Sequence, residues 1–276
     1  MLYVVLIVIG IVGIFIAAIS DIKTREIPDW LNYSLISLGL GIRIIYSISL
    51  KDPLIIFSSV IGLIIAFILG LFMYYTKQWG GGDAKSYMAI ASLFTSMPDQ
   101  KFFLFDFTVN LLIVGSIYTI LMSIYYIFQK KLLTKIKISF SNKIKKITII
   151  FLVSFFMALF VYFLDVNFII PVLLLILVLF FYLFVIPIIK IVETSLIKTI
   201  SVKNLTEGDW ITENIYLKNK FIYNNKSPGV TKKQISQILK SKIKNLKVKE
   251  GIVFMPSFFI TLIVTLLFNN LIYYLF

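Results

Sequence analysis

Apolar runs long enough to cross a lipid bilayer recur along almost the whole of this 276-residue chain, broken by short polar loops. A spanning helix needs roughly 17–25 mainly apolar residues, because the hydrocarbon core is about 30 Å thick and a helix rises about 1.5 Å per residue. By that rule spans are expected near 2–20, 31–50, 53–76, 84–98, 102–128, 147–165, 167–191 and 252–275. The fourth is short and is cut by Met97-Pro98. The sixth and seventh are parted only by Asp165-Val166-Asn167, so they would equally form one re-entrant hairpin. Soluble domains average roughly 45–50% apolar residues; at 59% this chain calls for lipid as its solvent. The expected fold class is membrane all-α: a polytopic bundle of six to eight transmembrane helices with a small cytoplasmic α/β appendage.

The loops set the orientation. If 21–30 is cytoplasmic, alternation puts 77–83, 129–146 and 192–251 on the same side. In or beside those loops lie two, two, seven and thirteen basic residues, which is 24 of the 27 in the chain; Arg43, Lys51 and Lys101 fall elsewhere. Cytoplasmic loops carry such an excess, so the N-terminus is expected outside and the loops in the cytoplasm. The first run lacks a basic region before it and continues into Asp21, which reads as an uncleaved first span rather than a secretory signal. The net charge of +14 is then assigned to anionic lipid at the membrane face and not to nucleic acid.

Five domains follow: a catalytic transmembrane core at 1–128, a basic cytoplasmic loop at 129–146, an additional transmembrane hairpin at 147–191, a small cytoplasmic domain at 192–251 and a C-terminal transmembrane helix at 252–276. Between Val202 and Tyr223, β-branched and aromatic residues mix with turn signals at Glu207-Gly208-Asp209 and Asn224-Asn225, which predicts short strands. Thr231 is placed as a helix N-cap, with Gln234 completing a capping box and Val230 and Ile235 forming a hydrophobic staple. Ile235, Ile238, Leu239 and Ile243 are expected on that helix's apolar face.

Chemistry is narrowed by what the chain lacks. With no histidine and no cysteine, Ser-His and Cys-His catalysis and imidazole- or thiolate-bound zinc are unavailable. The main acid/base device left is a pair of carboxylates sharing one proton. Asp21 and Asp83 stand where apolar runs meet loops on the same expected side. Each alone is equally readable as an interface residue or a helix-end charge. Gly80-Gly81-Gly82 before Asp83 would admit unusual backbone conformations and the close approach of an extended peptide; a flexible loop is the plainer reading. One carboxylate would deprotonate a water and the other would donate a hydrogen bond to the scissile carbonyl; the spacing does not say which does which. No metal or other cofactor is needed for this. Arg25 and Lys85 flank the pair and are candidates for tuning a carboxylate or orienting substrate. Glu26 and Asp29 are candidates for attracting a basic peptide. Trp30 and Trp79 read as interface anchors.

Asp21 with Lys23, Arg25, Ile27 and Pro28, followed some sixty residues later by Gly80-Gly81-Gly82-Asp83-Ala84-Lys85, resembles the prepilin peptidases. These are polytopic aspartyl proteases of the GxGD type, and the archaeal prepilin and preflagellin (archaellin) branch is the more similar. The likeness covers about the first 130 residues, and Val248–Pro256 also looks like a tail motif of archaeal members. It implies that Asp21 and Asp83 are the catalytic pair. The substrate it implies is a pilin-like or archaellin precursor with a short basic leader before an apolar helix, cut at the cytoplasmic face of the cell membrane. Bacterial members often carry paired cysteines and an amino-methyltransferase activity; without cysteine, the resemblance implies peptidase action alone. The region 147–191 departs from the family's six-span plan. Two other readings compete: an ion- or proton-coupled transporter using intramembrane aspartates, and a structural membrane subunit with 192–251 as a docking module. The first predicts acidic groups deep in spans and two related halves, neither of which the sequence offers.

Overall fold

The computed structural model describes residues 2–95, 97, 100, 102–141, 144–145, 148–150, 152–153, 155–156, 185–217, 220–241 and 243–274. They fall into two compact units, Met1–Thr119 with Lys198–Phe276, and Ile120–Ile197. Among the described residues four helices are long and apolar enough to cross a membrane: α1 (Leu2–Thr24), α2 (Asp29–Leu50), α3 (Leu54–Tyr75) and α5 (Phe103–Gln129). This is a membrane protein. The expected span at 84–98 is instead α4 (Gly81–Phe94), of 14 residues. At about 1.5 Å per residue a helix of that length covers about 21 Å, short of the hydrocarbon thickness. The expected spans at 147–165 and 167–191 lie largely outside the described residues.

α4 is the centre of the first unit, packed by α1, α2 and α3. Its residues Ser86, Tyr87, Ala89, Ile90, Ala91, Ser92, Leu93 and Phe94 are all buried, the signature of a helix enclosed on every side. Small residues make room for it. α3 buries Ser59, Gly62, Ala66 and Gly70, a small-residue stripe of the kind that lets helices approach closely in lipid. A Cβ on Gly62 would meet Thr95 Oγ1 at 2.2 Å, and one on Gly39 of α2 would meet the Ser92 backbone carbon at 2.9 Å. Outward residues such as Phe57, Ile64, Ile68 and Phe72 are exposed, as lipid-facing positions should be.

Arg43, placed outside the polar loops by the sequence, is buried on α2. Its Nε and Nη2 donate to Leu93 O at 3.3 and 2.8 Å, putting a positive charge at the C-terminal end of α4, where the helix dipole favours it.

Residues Lys198 to Glu250 form the strand-containing part of this unit. β1 (Ile197–Ser201), β5 (Asn245–Lys249) and β2 (Trp210–Ile211) make a sheet in the order β1-β5-β2, with Trp210 opposite Lys249 and Ile211 opposite Val248. β3 (Ile215–Leu217) and β4 (Lys220–Tyr223) make an antiparallel hairpin. The start of the predicted strand region, Val202–Asn204, is a 3-10 turn instead, capped by Ser201. α8 (Lys232–Leu239) begins as predicted: Gln234 N donates to Thr231 Oγ1, and Thr231 N donates to Gln234 Oε1. Val230 and Ile238 are buried, and Ile235 and Ile243 pack on the same core with Ile211, Tyr223, Leu246 and Val248. Leu239, expected on that face, is exposed; it closes the helix one step round from Ile238. Asp209 is structural: its Oδ2 accepts Thr206 N at 2.8 Å, and its carbonyl accepts Val230 N at 3.0 Å.

After β5 the chain enters α9 (Met255–Phe268), also 14 residues. It is apolar but shorter than the expected span 252–275. The second unit contains α6 (Leu133–Ser141) and α7 (Ile186–Ser195), with Lys130 Nζ donating to Ser195 O.

Candidate active site

Asp21 stands in the last turn of α1, which runs on through Thr24 instead of opening into a loop at residue 21. The carboxylate is buried, and its Oδ2 accepts the backbone N–H of Phe254 and of Met255, both at 3.0 Å. These donors are there because the first N–H groups of any helix lack intrahelical partners. α9 has no side-chain cap of its own, so an aspartate more than two hundred residues earlier supplies one. The tail around Val248–Pro256 singled out in the sequence is thus seated on Asp21.

Asp83 lies in the first turn of α4. Its Oδ2 accepts Gly80 N at 2.9 Å. The Asp21 carboxylate thus meets the N-terminus of α9 and Asp83 sits at the N-terminus of α4, where the helix dipole is positive. Asp83 is only partly exposed, and the surrounding protein strips water from it. That desolvation, reinforced by the negative charge of Asp21, pushes its pKa from 3.8 up to about 7, against the opposing pull of the Gly80 N–H. The structure thus brings the two predicted aspartates within electrostatic reach of each other.

The glycine run works differently from the open loop expected. Gly80 is extended (φ −72°, ψ 165°), whereas Gly81 and Gly82 already belong to α4, and none of the three has a positive φ. Only Gly82 is sterically demanded: a Cβ there would lie 2.9 Å from Ile27 Cδ1. The run lets α4 begin hard against the α1–α2 connection.

Neighbouring residues hold this geometry. Asn32 of α2, fully buried, donates Nδ2 to Gly82 O at 3.4 Å and accepts Ser86 Oγ at 2.8 Å. Sequence reasoning passed over it, although an asparagine inside an apolar run was the available signal. Lys85 pairs with Asp29 at 2.5 Å and lies over the Tyr33 ring at 5.6 Å, so it ties α4 to α2. Arg25 donates Nη1 to Gly251 O at 2.9 Å. Trp79 is not an interface anchor. It is buried among Tyr87 and Phe258, at 5.4 and 5.3 Å between ring centroids, because the chain turns sharply after α3 and folds it inward. Trp30 is exposed, as an anchor would be. Also missed was a second buried polar cluster: Asn110 donates to Thr265 Oγ1 and Asn269 O, and Asn270 donates to Asp106 Oδ1. Among the described residues, no three acidic side chains gather that could hold a metal ion.

Residues 8–128 match the type IV leader peptidase family. Over 86 residues the chain is 37% identical to the preflagellin peptidase of Methanocaldococcus jannaschii, covering 31% of this chain and 36% of that one. It is 37% identical over 86 residues to the preflagellin peptidase of Methanococcus maripaludis, covering 31% and 37%. The prepilin peptidase EppA of Methanothermobacter thermautotrophicus is 33% identical over 90 residues, covering 33% and 23%. The matches thus span little more than a third of the relatives' own length at most. No solved structure matches significantly. The two aspartate motifs thus lie within the stretch, residues 8–128, that is similar to the type IV leader peptidase family.

Proposed function

We propose that this protein is a membrane aspartyl endopeptidase that removes the short basic leader from type IV pilin-like precursors, prepilins or archaellins, at the cytoplasmic face of the cell membrane. The similarity to preflagellin and prepilin peptidases supports the leader-processing class. The observation that carries the chemistry is the unequal surroundings of Asp21 and Asp83. Asp83, desolvated and beside a second carboxylate, keeps its proton to about pH 7. Asp21 receives two backbone N–H donors, which favour a negative oxygen. Asp21 is then the base that takes a proton from water. Asp83 is the acid that donates a hydrogen bond to the scissile carbonyl as its oxygen becomes negative. Two carboxylates sharing one proton suffice for this hydrolysis, without a cofactor.

The catalytic core is placed in 1–128 and the 192–251 domain at the cytoplasmic surface, where the lysine-rich loops meet anionic lipid. The substrate helix must unwind at the cut, since a hydrogen-bonded helix hides its peptide bonds.

The test is co-expression in membranes with a pilin precursor and an archaellin precursor, scored by leader loss. Asp21→Asn and Asp83→Asn are near-isosteric, and in Asp21→Asn the side-chain amide keeps an oxygen to cap α9. Both variants are expected to accumulate and to leave the precursors uncut. Cleavage by either would sink the dyad.

A further inference from the structure

The helix that carries Asp21 ends on an unusual residue. Arg25 has φ of 62°, in the left-handed region where glycine and asparagine are at home and other side chains cost about 1–2 kcal/mol. Its N–H donates to Asp21 O at 3.0 Å, closing α1 beneath the carboxylate. Its guanidinium donates to Gly251 O at 2.9 Å. Gly251 opens the short passage from β5 into α9, and the far end of that passage supplies the Phe254 and Met255 N–H groups to Asp21 Oδ2. The passage is therefore pinned to the end of α1 at both its ends, by Arg25 at its first carbonyl and by Asp21 at its last two amides. A residue that would relieve the backbone is not used here, and the one present reaches across to that carbonyl.

We propose that Arg25 and the Gly251–Met255 passage are positioning elements of the peptidase: Arg25 fixes the passage, whose two amide N–H groups hold Asp21 Oδ2 and aim Oδ1 at the attacking water. The proposal rests on the reading of Asp21 and Asp83 as the catalytic pair. It gives the β5–α9 junction a catalytic purpose and ties the 192–251 domain to the chemistry. It also moves Arg25 from substrate contact to a role exerted through Asp21. The same domain has a second fastening that serves as a control, Lys77 Nζ donating to Asn225 O at 2.8 Å, which bears on neither Gly251 nor Asp21.

The experiment uses the full chain in membranes and a precursor with a basic leader, with kcat and KM measured for wild type, Arg25→Asn, Arg25→Lys and Lys77→Ala. Asparagine tolerates the left-handed backbone, so Arg25→Asn removes the guanidinium without adding strain; Arg25→Gly is the second variant of the same kind. The expected result is a kcat lowered about a hundredfold in Arg25→Asn and Arg25→Gly, the scale of a misplaced catalytic group. KM should stay within about twofold. Arg25→Lys should recover most of the loss, and Lys77→Ala should stay within about twofold of wild type. An unchanged kcat overturns the proposal. So does a loss confined to KM, which would make Arg25 a substrate contact, or an equal loss in Lys77→Ala, which would mean general loosening of the domain. Asp21→Asn and Asp83→Asn run alongside: their inactivity with a normal Arg25→Asn rejects the positioning role alone, whereas their activity rejects the dyad itself.

Discussion

Gly82 and Ile27 touch so closely that the glycine has no room for a side chain: a Cβ on Gly82 would stand 2.9 Å from Ile27 Cδ1 and 3.0 Å from Ile27 Cβ. This contact seats the start of α4, and with it Asp83, against the connection that follows Asp21. Gly82→Ala is therefore expected to lower both thermal stability, by about 1–3 kcal/mol as overpacking does, and leader cleavage. Trimming Ile27 to Ala in the same chain should restore part of both. A double-mutant cycle on melting temperature and cleavage rate reads the coupling; additive effects would mean that the contact does not set the site.

Asp83 is expected to make the protein sensitive to pH near neutrality. Its pKa in the folded protein, about 7, lies above the ordinary 3.8, so ionising it costs the folded state more than the unfolded one. The stability linked to this group is fully present below about pH 4 and is lost as pH rises through about 7. On the proposed role of Asp83 as the acid, cleavage should fall over the same upper range as Asp83 loses its proton. Melting temperatures from pH 5 to 8 are expected to decline in wild type more steeply than in Asp83→Asn. Parallel slopes in the two would contradict the assignment.

Lys85 and Asp29 form a half-exposed pair, with side chains 32% and 60% accessible. Such pairs contribute roughly 0–1 kcal/mol. Lys85→Ala and Asp29→Ala are each expected to shift melting only slightly and to leave kcat within about threefold of wild type, because the pair steadies α2 against α4 without touching the reaction. The kinetic comparison checks this: a loss of a hundredfold or more in Lys85→Ala alone would give that lysine a direct catalytic part.

Arg43 bonds the Leu93 carbonyl near the end of α4 from inside the bundle. Arg43→Ala removes charged donors and opens a cavity, a combination expected to cost about 2–4 kcal/mol. Arg43→Met, which keeps most of the volume, should cost less. Thermal inactivation in detergent ranks them, and equal losses would show that packing contributes little there.

Local order in the sequence was enough for much of this molecule. The lengths of apolar runs located α1, α2, α3 and α5, because crossing lipid sets a minimum length that composition reveals directly. Thr231 and Gln234 marked the start of α8, since a capping box is closed within four residues. The two aspartate motifs singled out Asp21 and Asp83 because so little other chemistry remains in a chain without histidine or cysteine. What the folded chain decided is everything that joins distant segments. No window of sequence says that Asp21 will cap α9, that Asn32 will meet Gly82, or that Arg43 will reach Leu93. Nor does one show that Trp79 turns into the core, or that β1 and β5 will share a sheet. A helix's length and apolar face follow from neighbours three or four positions apart. Which partner that face meets, and which unsatisfied backbone group a buried side chain then completes, depends on the packing of helices remote in the chain.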